Sequence, residues 1–170
     1  LFFFTHKPPT AMLRSLVGSE MCIRDRSIAT KNDTSVKIGL GVHSGDHEIY
    51  PDCRPEFYDA LENAFRVGNW DSEKVSFYLP YLEGDKETIL IDAEKSLNKL
   101  NLDFDTIFAN TNTSYNPDEQ GRSSGKSGAD IERILAFNAI GRKDPVPYVD
   151  DWSKVLEHAI KIEKEHKEKI

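Results

Sequence analysis

At 170 residues, 38% hydrophobic and 30% charged, the chain has the size and make-up of one globular domain, and it contains no apolar run long enough to span a membrane. A net charge of −7 argues against holding duplex nucleic acid through many phosphate contacts. The two cysteines, Cys22 and Cys53, exclude a disulfide framework and, by themselves, a structural zinc site, and they fit a reducing, cytoplasmic setting.

Residues 1–26 show neither a helical nor a strand period and carry four basic and two acidic side chains, against the acidic excess of the remainder. "LFFF" is too short for a secretory apolar core, and "KPP" breaks the chain soon after it. "SLVGSEMCIRDR" resembles a translated sequencing adapter, so a non-native or disordered leader is expected over 1–26, with the body of the protein, 27–170, forming part of a single domain. From Ser27 onward strand-length apolar runs alternate with amphipathic helical patterns, the pattern of a parallel α/β sheet. "SVKIGLGV" reads as a buried strand. "RPEFYDALENAFRVGN" reads as a helix with Pro55 in its first turn, Phe57, Leu61, Ala64 and Phe65 on one face, and Gly68 as its stop. "KVSFYLPY" is a second strand ended by Pro80. "KETILIDAEKSLNKLN" is the next helix, with Ile89, Leu90, Ala93, Leu97 and Leu100 inward, and "FDTIFAN" is expected to be a third strand. A turn-rich polar stretch, "TNTSYNPDEQGRSSGKSG", leads to a helix "ADIERILAFNAIG" closed by Gly141, and a last amphipathic helix ends in a solvated tail, "EKEHKEKI".

The segment leaving the first strand, "GVHSGDHEIYPDCRPEF", is far more polar than a corner requires: His43, Ser44, Asp46, His47, Glu48, Tyr50, Asp52, Cys53 and Arg54 follow one another closely. Open parallel sheets bind ligands beyond the carboxyl ends of their strands, so chemistry is expected here. Gly41 and Gly45 permit close backbone approach, Asp46, Glu48 and Asp52 supply acceptors, Arg54 offers a planar fork for a carboxylate or phosphate, and Tyr50 a stacking face. In the purely structural alternative, Asp52 caps the following helix and Pro51 and Pro55 stiffen the corner.

This seventeen-residue segment closely resembles the signature of the 7-cyano-7-deazaguanine synthases, enzymes of queuosine and related 7-deazapurine biosynthesis. The similarity continues through "SIA", "KETIL", "SYNP", "ERILAF" and "GRKDPVPY" in the family's order. It implies a parallel-sheet, Rossmann-like α/β fold of the pyrophosphatase-loop type (adenine nucleotide alpha hydrolase-like), incomplete at the N-terminus. The implied activity is that of an ATP-dependent carbon–nitrogen ligase converting 7-carboxy-7-deazaguanine and ammonia to the nitrile 7-cyano-7-deazaguanine, with ATP and Mg2+ as cofactors. The implied partners are these small molecules, with no direct nucleic acid, no membrane and a homodimer in keeping with the family. Asp46, Tyr50, Asp52 and Arg54, with His47 and Lys86, are the expected substrate-binding residues; His43 reads as a strand-end residue.

Two departures from the family stand out. Residues 27–170 contain no Ser-Gly-Gly-x-Asp-Ser phosphate loop, and "GRSSGKSG" follows a polar loop instead of a strand and lacks Walker spacing. This chain alone is therefore expected to be inactive, and a deazapurine- or nucleotide-binding protein without catalysis is the alternative. Moreover, Ser114, Ser124, Ser127 and Asp130 fall where the family carries zinc-binding cysteines. Neutral, hard hydroxyls are poor zinc ligands, so no zinc is expected, and Ser124, Ser127 and Asp130 are expected to cap the "IERILAF" helix instead.

Overall fold

The computed structural model describes residues 27–43, 50–114 and 116–168, arranged as two compact units. The leader 1–26 lies outside the described residues. In the first unit, formed by residues up to Gly41 together with Arg54–Pro80, a helical stretch over 27–32 precedes strand β1 (Val36–Gly39). Helix α1 (Pro55–Gly68) then connects β1 to strand β2 (Val75–Tyr78), and the strands pair in parallel with Val36 opposite Val75 and Gly39 opposite Tyr78. Parallel strands need such a crossover, which accounts for the alternation of strand and helix in the sequence. The apolar content of the strands closes the core: Ile38 and Val75 are buried and packed by Leu40, Phe65 and Phe77.

Pro55 occupies the first turn of α1, where its missing N–H costs nothing. The buried seam of this helix is Tyr58, with Leu61 and Phe65 half-buried behind it, and Tyr58 meets Phe77 edge-on at 5.8 Å. That corrects the expected face, since Phe57 and Ala64 are exposed. Shifting the seam by one residue buries the ring of Tyr58 while its neighbour Phe57 remains 41% exposed. Beyond α1, Asn69 Nδ2 and Ser72 Oγ donate to the carbonyls of Phe65 and Arg66, satisfying the open helix end, and Trp70 projects from the turn, 87% exposed.

The second unit, 42–53 and 81–170, contains helices α2 (Lys86–Leu100), α3 (Phe104–Ala109), α4 (Gly128–Ala139) and α5 (Trp152–Lys167). The expected strand "FDTIFAN" is therefore a helix. Its residues are strand-prone, but Asp103 accepts from both the N–H and the hydroxyl of Thr106, at 2.7 and 2.5 Å, and so nucleates a helical turn. That turn places Phe104 and Phe108 on one face, where both rings meet Phe137 of α4, with centroids 6.1 and 5.7 Å away. A second correction concerns Leu100: it belongs to the last turn of α2 and is 67% exposed, whereas Leu90 is buried and Leu97 packs partly against it.

Two apolar clusters form the core of this unit, one of Leu90, Phe104, Ala136 and Phe137, the other of Ile131, Ile134, Val155 and Ala159. Trp152 packs against both. The helix α4 and the segment after it are joined by a buried ion pair: Arg133 Nε and Nη2 donate to Asp144 Oδ2 and Oδ1 at 2.6 and 2.9 Å. The remaining polar atoms are also satisfied. Arg133 Nη1 donates to Thr111 Oγ1 and Nη2 to the Phe108 carbonyl, while Asp144 accepts from the Val146 N–H and from the Tyr148 hydroxyl at 2.7 Å. Burial, followed by the adjacent Asp144 carboxylate, pushes the Tyr148 phenol well above its ordinary range, keeping it a hydrogen-bond donor.

Replacing Asp144 by Ala leaves Arg133 charged, buried and unpaired, and is expected to cost about 3–5 kcal/mol, read as a lower midpoint in urea unfolding. A midpoint within experimental error of the parent would contradict that role. Gly125 is equally constrained. It has φ of +70°, and a Cβ there would sit 2.7 Å from Val155 Cγ1. Gly125→Ala is therefore expected to lower Tm by several degrees, corresponding to about 1–3 kcal/mol, whereas Gly121→Ala, which has a similar φ but open space, should cost less in the same melting experiment.

Candidate functional site

The polar segment begins where β1 ends, and of its expected substrate-binding residues Asp46 and His47 lie outside the described residues. From Tyr50 onward the segment is ordered by local chemistry. Pro51–Cys53 forms a single 3-10 turn, closed by the Cys53 N–H donating to the Tyr50 carbonyl at 2.9 Å. This turn leaves Tyr50 57% exposed and Asp52 at the surface. The N-cap of α1 is Arg54, through its backbone and without a side-chain hydrogen bond, so Asp52 is not the cap that the structural alternative requires. Among the described residues, neither the Asp52 carboxylate nor the Arg54 guanidinium is engaged in an ion pair. Both are exposed and chemically available, Asp52 in the second unit and Arg54 in the first.

Lys86, by contrast, is committed. It opens α2, and its Nζ meets Glu132 Oε2 of α4 at 2.5 Å, with side chains only 18% and 12% exposed. Asp85 caps the same helix, accepting from the Thr88 N–H and hydroxyl at 2.8 Å each. The Thr88 N–H is the main cause of an Asp85 carboxyl held below its ordinary value, and the charge of His43 acts in the same direction. His43 thus lies within electrostatic reach of the α2 N-terminus in addition to its place at a strand end. Glu132 is not among the residues that the sequence points to; it lies inside "ERILAF", 46 positions from Lys86, and no spacing rule links them.

The serine-rich loop is where the expected metal-position residues gather. Ser127 is the N-cap of α4: Asp130 N–H donates to Ser127 Oγ at 3.1 Å, and the Ser127 N–H returns to Asp130 Oδ2, a complete capping box. Ser124 Oγ also donates to Asp130 Oδ2, at 3.4 Å. The expected capping is thus realised by Ser127 and Asp130, while Ser124 only braces the Asp130 carboxylate. Ser114 is held elsewhere, its N–H donating to Asn112 Oδ1. Among the described residues, no three His, Cys, Asp or Glu side chains converge as a metal-binding group.

Taken together, the β1–α1–β2 parallel unit and the charged segment leaving β1 define an α/β protein of the class that holds ligands at strand ends. Residues 25–141 match the family described as queuosine biosynthesis protein QueC, and the chain belongs to that family. It is 43% identical over 112 residues to a 7-cyano-7-deazaguanine synthase of Marinomonas sp. (strain MWYL1), covering 66% of this chain and 46% of the relative. It is 44% identical over 114 residues to that of Psychromonas ingrahamii, covering 67% and 46%, and 40% identical over 121 residues to that of Methanoregula boonei, covering 67% and 50%. The chain spans about half the length of the curated relatives it matches. No solved structure matches it. No helix among the described residues is long and apolar enough to cross a membrane.

Two outcomes are expected from this geometry. Ser127→Ala removes the hydroxyl that accepts from the first turn of α4 and is expected to cost about 1 kcal/mol, seen as a lower Tm; an unchanged Tm would count against the capping box. Asp85, Asp103 and Asp118 are all held below the ordinary carboxyl value of 3.8 by hydrogen bonds from Thr88, Thr106 and Arg122. Because their folded-state values are depressed, they add stability above the unfolded value, and this is lost as pH falls through the folded ones. Urea midpoints are therefore expected to hold above about pH 4 and to decline below it, less steeply in Asp85→Asn than in the parent.

Proposed function

We propose that the chain contributes to the ATP-dependent conversion of 7-carboxy-7-deazaguanine and ammonia to 7-cyano-7-deazaguanine, supplying the part that holds the deazapurine. The observation that carries this is the signature segment "GVHSGDHEIYPDCRPEF" at the end of a parallel strand, with Asp52 and Arg54 outside any ion pair among the described residues. The relatives, named as 7-cyano-7-deazaguanine synthases, support the same chemistry. The fold on this reading is the adenine nucleotide alpha hydrolase-like, pyrophosphatase-loop type.

The chemical difficulty is a carboxylate, which resists attack by nitrogen until one oxygen becomes a leaving group. Adenylation by ATP, with loss of pyrophosphate, supplies that; ammonia displaces AMP and loses a proton to give an amide, and adenylation of the amide oxygen by a second ATP lets it leave as AMP, with loss of both N–H protons, to give the nitrile. In this scheme the Asp52 carboxylate accepts from the N–H groups of the guanine-like edge, the Tyr50 ring stacks on the base, and the Arg54 guanidinium, with Asp46, His47 and Lys86, orients the anionic groups. Mg2+, when bound with ATP, offsets phosphate charge. Zinc is a different matter: Ser127 Oγ and Asp130 Oδ2 are already engaged in the capping box, leaving neutral hydroxyls and one carboxylate oxygen as donors, a poor set for a soft-leaning ion. We therefore propose a protein that folds without structural zinc. Metal analysis finding one zinc per chain would overturn that part.

The test of function is calorimetric titration of the full chain with 7-carboxy-7-deazaguanine. Binding that weakens about tenfold or more in Arg54→Met and in Asp52→Asn is expected, from the loss of charge-assisted hydrogen bonds. Tight binding unaffected by either change would refute the assignment of those residues. Incubation with ATP and ammonia then asks whether the chain itself activates the carboxylate: AMP release shows that it does, and binding without AMP release is the result expected of the part that holds the deazapurine.

A further inference from the structure

We infer that Glu132 is a positioning residue for Lys86, fixing its ammonium where it meets the carboxylate or phosphate of a bound substrate; this rests on the substrate reading above. Lys86 stands at the first position of α2, where the helix dipole is positive and anionic side chains are favoured. A lysine there is electrostatically the wrong residue for helix stability. An ammonium held at a helix N-terminus suits an anionic ligand better than it suits folding.

A long, flexible lysine in that field would extend toward solvent if nothing held it. Glu132 holds it: the pair is in short contact at 2.5 Å, with both side chains largely withdrawn from water. The anchor is itself rigid, because Glu132 sits between buried Ile131 and Arg133, one turn from the capping box and beside the residue that binds Asp144. A mere clamp between α2 and α4 did not need charges. The two helices already meet through Leu90, Ala136 and Phe137, and withdrawing an ion pair from water carries a desolvation cost that apolar side chains avoid. The acidic partner restrains the ammonium in space, where an anion can meet it.

The test compares two ligands on the full chain, 7-carboxy-7-deazaguanine and 7-deazaguanine, which lacks the carboxylate, and reads the ratio of their dissociation constants. The parent should favour the carboxylate-bearing ligand. Lys86→Met should abolish that preference, Glu132→Gln should reduce it about tenfold, and Glu132→Asp, which keeps the charge on a shorter arm, should fall between. Should Glu132→Gln not fold, Glu132→Asp decides: a reduced ratio supports the inference and an unchanged one overturns it. If Glu132→Gln melts earlier but keeps the parental ratio, the pair is only a helix clamp and the inference is wrong. If the parent binds neither ligand, the substrate reading itself fails and the inference falls with it.

Discussion

The pairing of Arg133 with Asp144 organises the second unit, because a guanidinium and a carboxylate withdrawn from water tolerate only geometries that satisfy all of their polar atoms. That requirement fixes several otherwise independent pieces of chain. Phe108 in the last turn of α3 and Thr111 just past it must come within reach of the guanidinium, and the segment through Pro145 must bring the Val146 N–H and the Tyr148 hydroxyl to the carboxylate. The ring of Phe137 lies 5.1 Å below the guanidinium carbon, so the same side chain that fills the apolar cluster also faces the charge. With these contacts in place, Tyr148 and Val149 run beside Ser123, whose carbonyl and N–H bond to Val149 and Pro147 in an isolated parallel bridge. The serine loop is therefore held by backbone pairing on one side and by the α4 capping box on the other.

Much of this architecture is legible from residue order alone, where a single local signal dominates. The strands β1 and β2 and the helices α1, α2, α4 and α5 are marked by apolar runs, Pro55, and the stop at Gly141, which adopts φ of +72° while the Arg142 N–H bonds back to the Phe137 carbonyl. The misassigned segment, 104–110, is the one in which two local signals disagree: aromatic and β-branched residues point to a strand, and an Asp103-x-x-Thr106 cap opening just before it points to a helix. Packing decides, because the helix brings the rings of Phe104 and Phe108 to 4.4 Å from one another and both against Phe137, whereas in a strand residues four apart are separated by roughly 13 Å. The exposed end of α2 at Leu100 has a related cause, since its apolar period continues past the last residue that has a partner to meet.

The candidate site is legible to the extent that its residues are consecutive. Tyr50, Asp52 and Arg54 share one short segment, and the serine loop keeps a fixed spacing ahead of α4. Pairing across the chain is what residue order does not carry. Lys86 and Glu132 are joined only because α2 and α4 pack through Leu90 and Phe137, and Arg133 finds Asp144 only because the chain reverses after Gly141. Charged residues inside an apolar helix pattern, as in "IERILAF", are the trace such pairs leave: a buried arginine in a core-facing stretch demands an acid somewhere, though not at any stated position.

The two tryptophans of the chain stand in opposite environments, Trp152 wedged against both apolar clusters of the second unit and Trp70 in water on the first. Indole emission shifts to longer wavelength when the ring is hydrated, so Trp70, 87% exposed, emits to the red of Trp152. The blue-side emission that is lost on unfolding belongs to Trp152. Trp152 is thus a built-in optical label for the helical unit, its blue-side emission following the integrity of the two clusters without an attached dye.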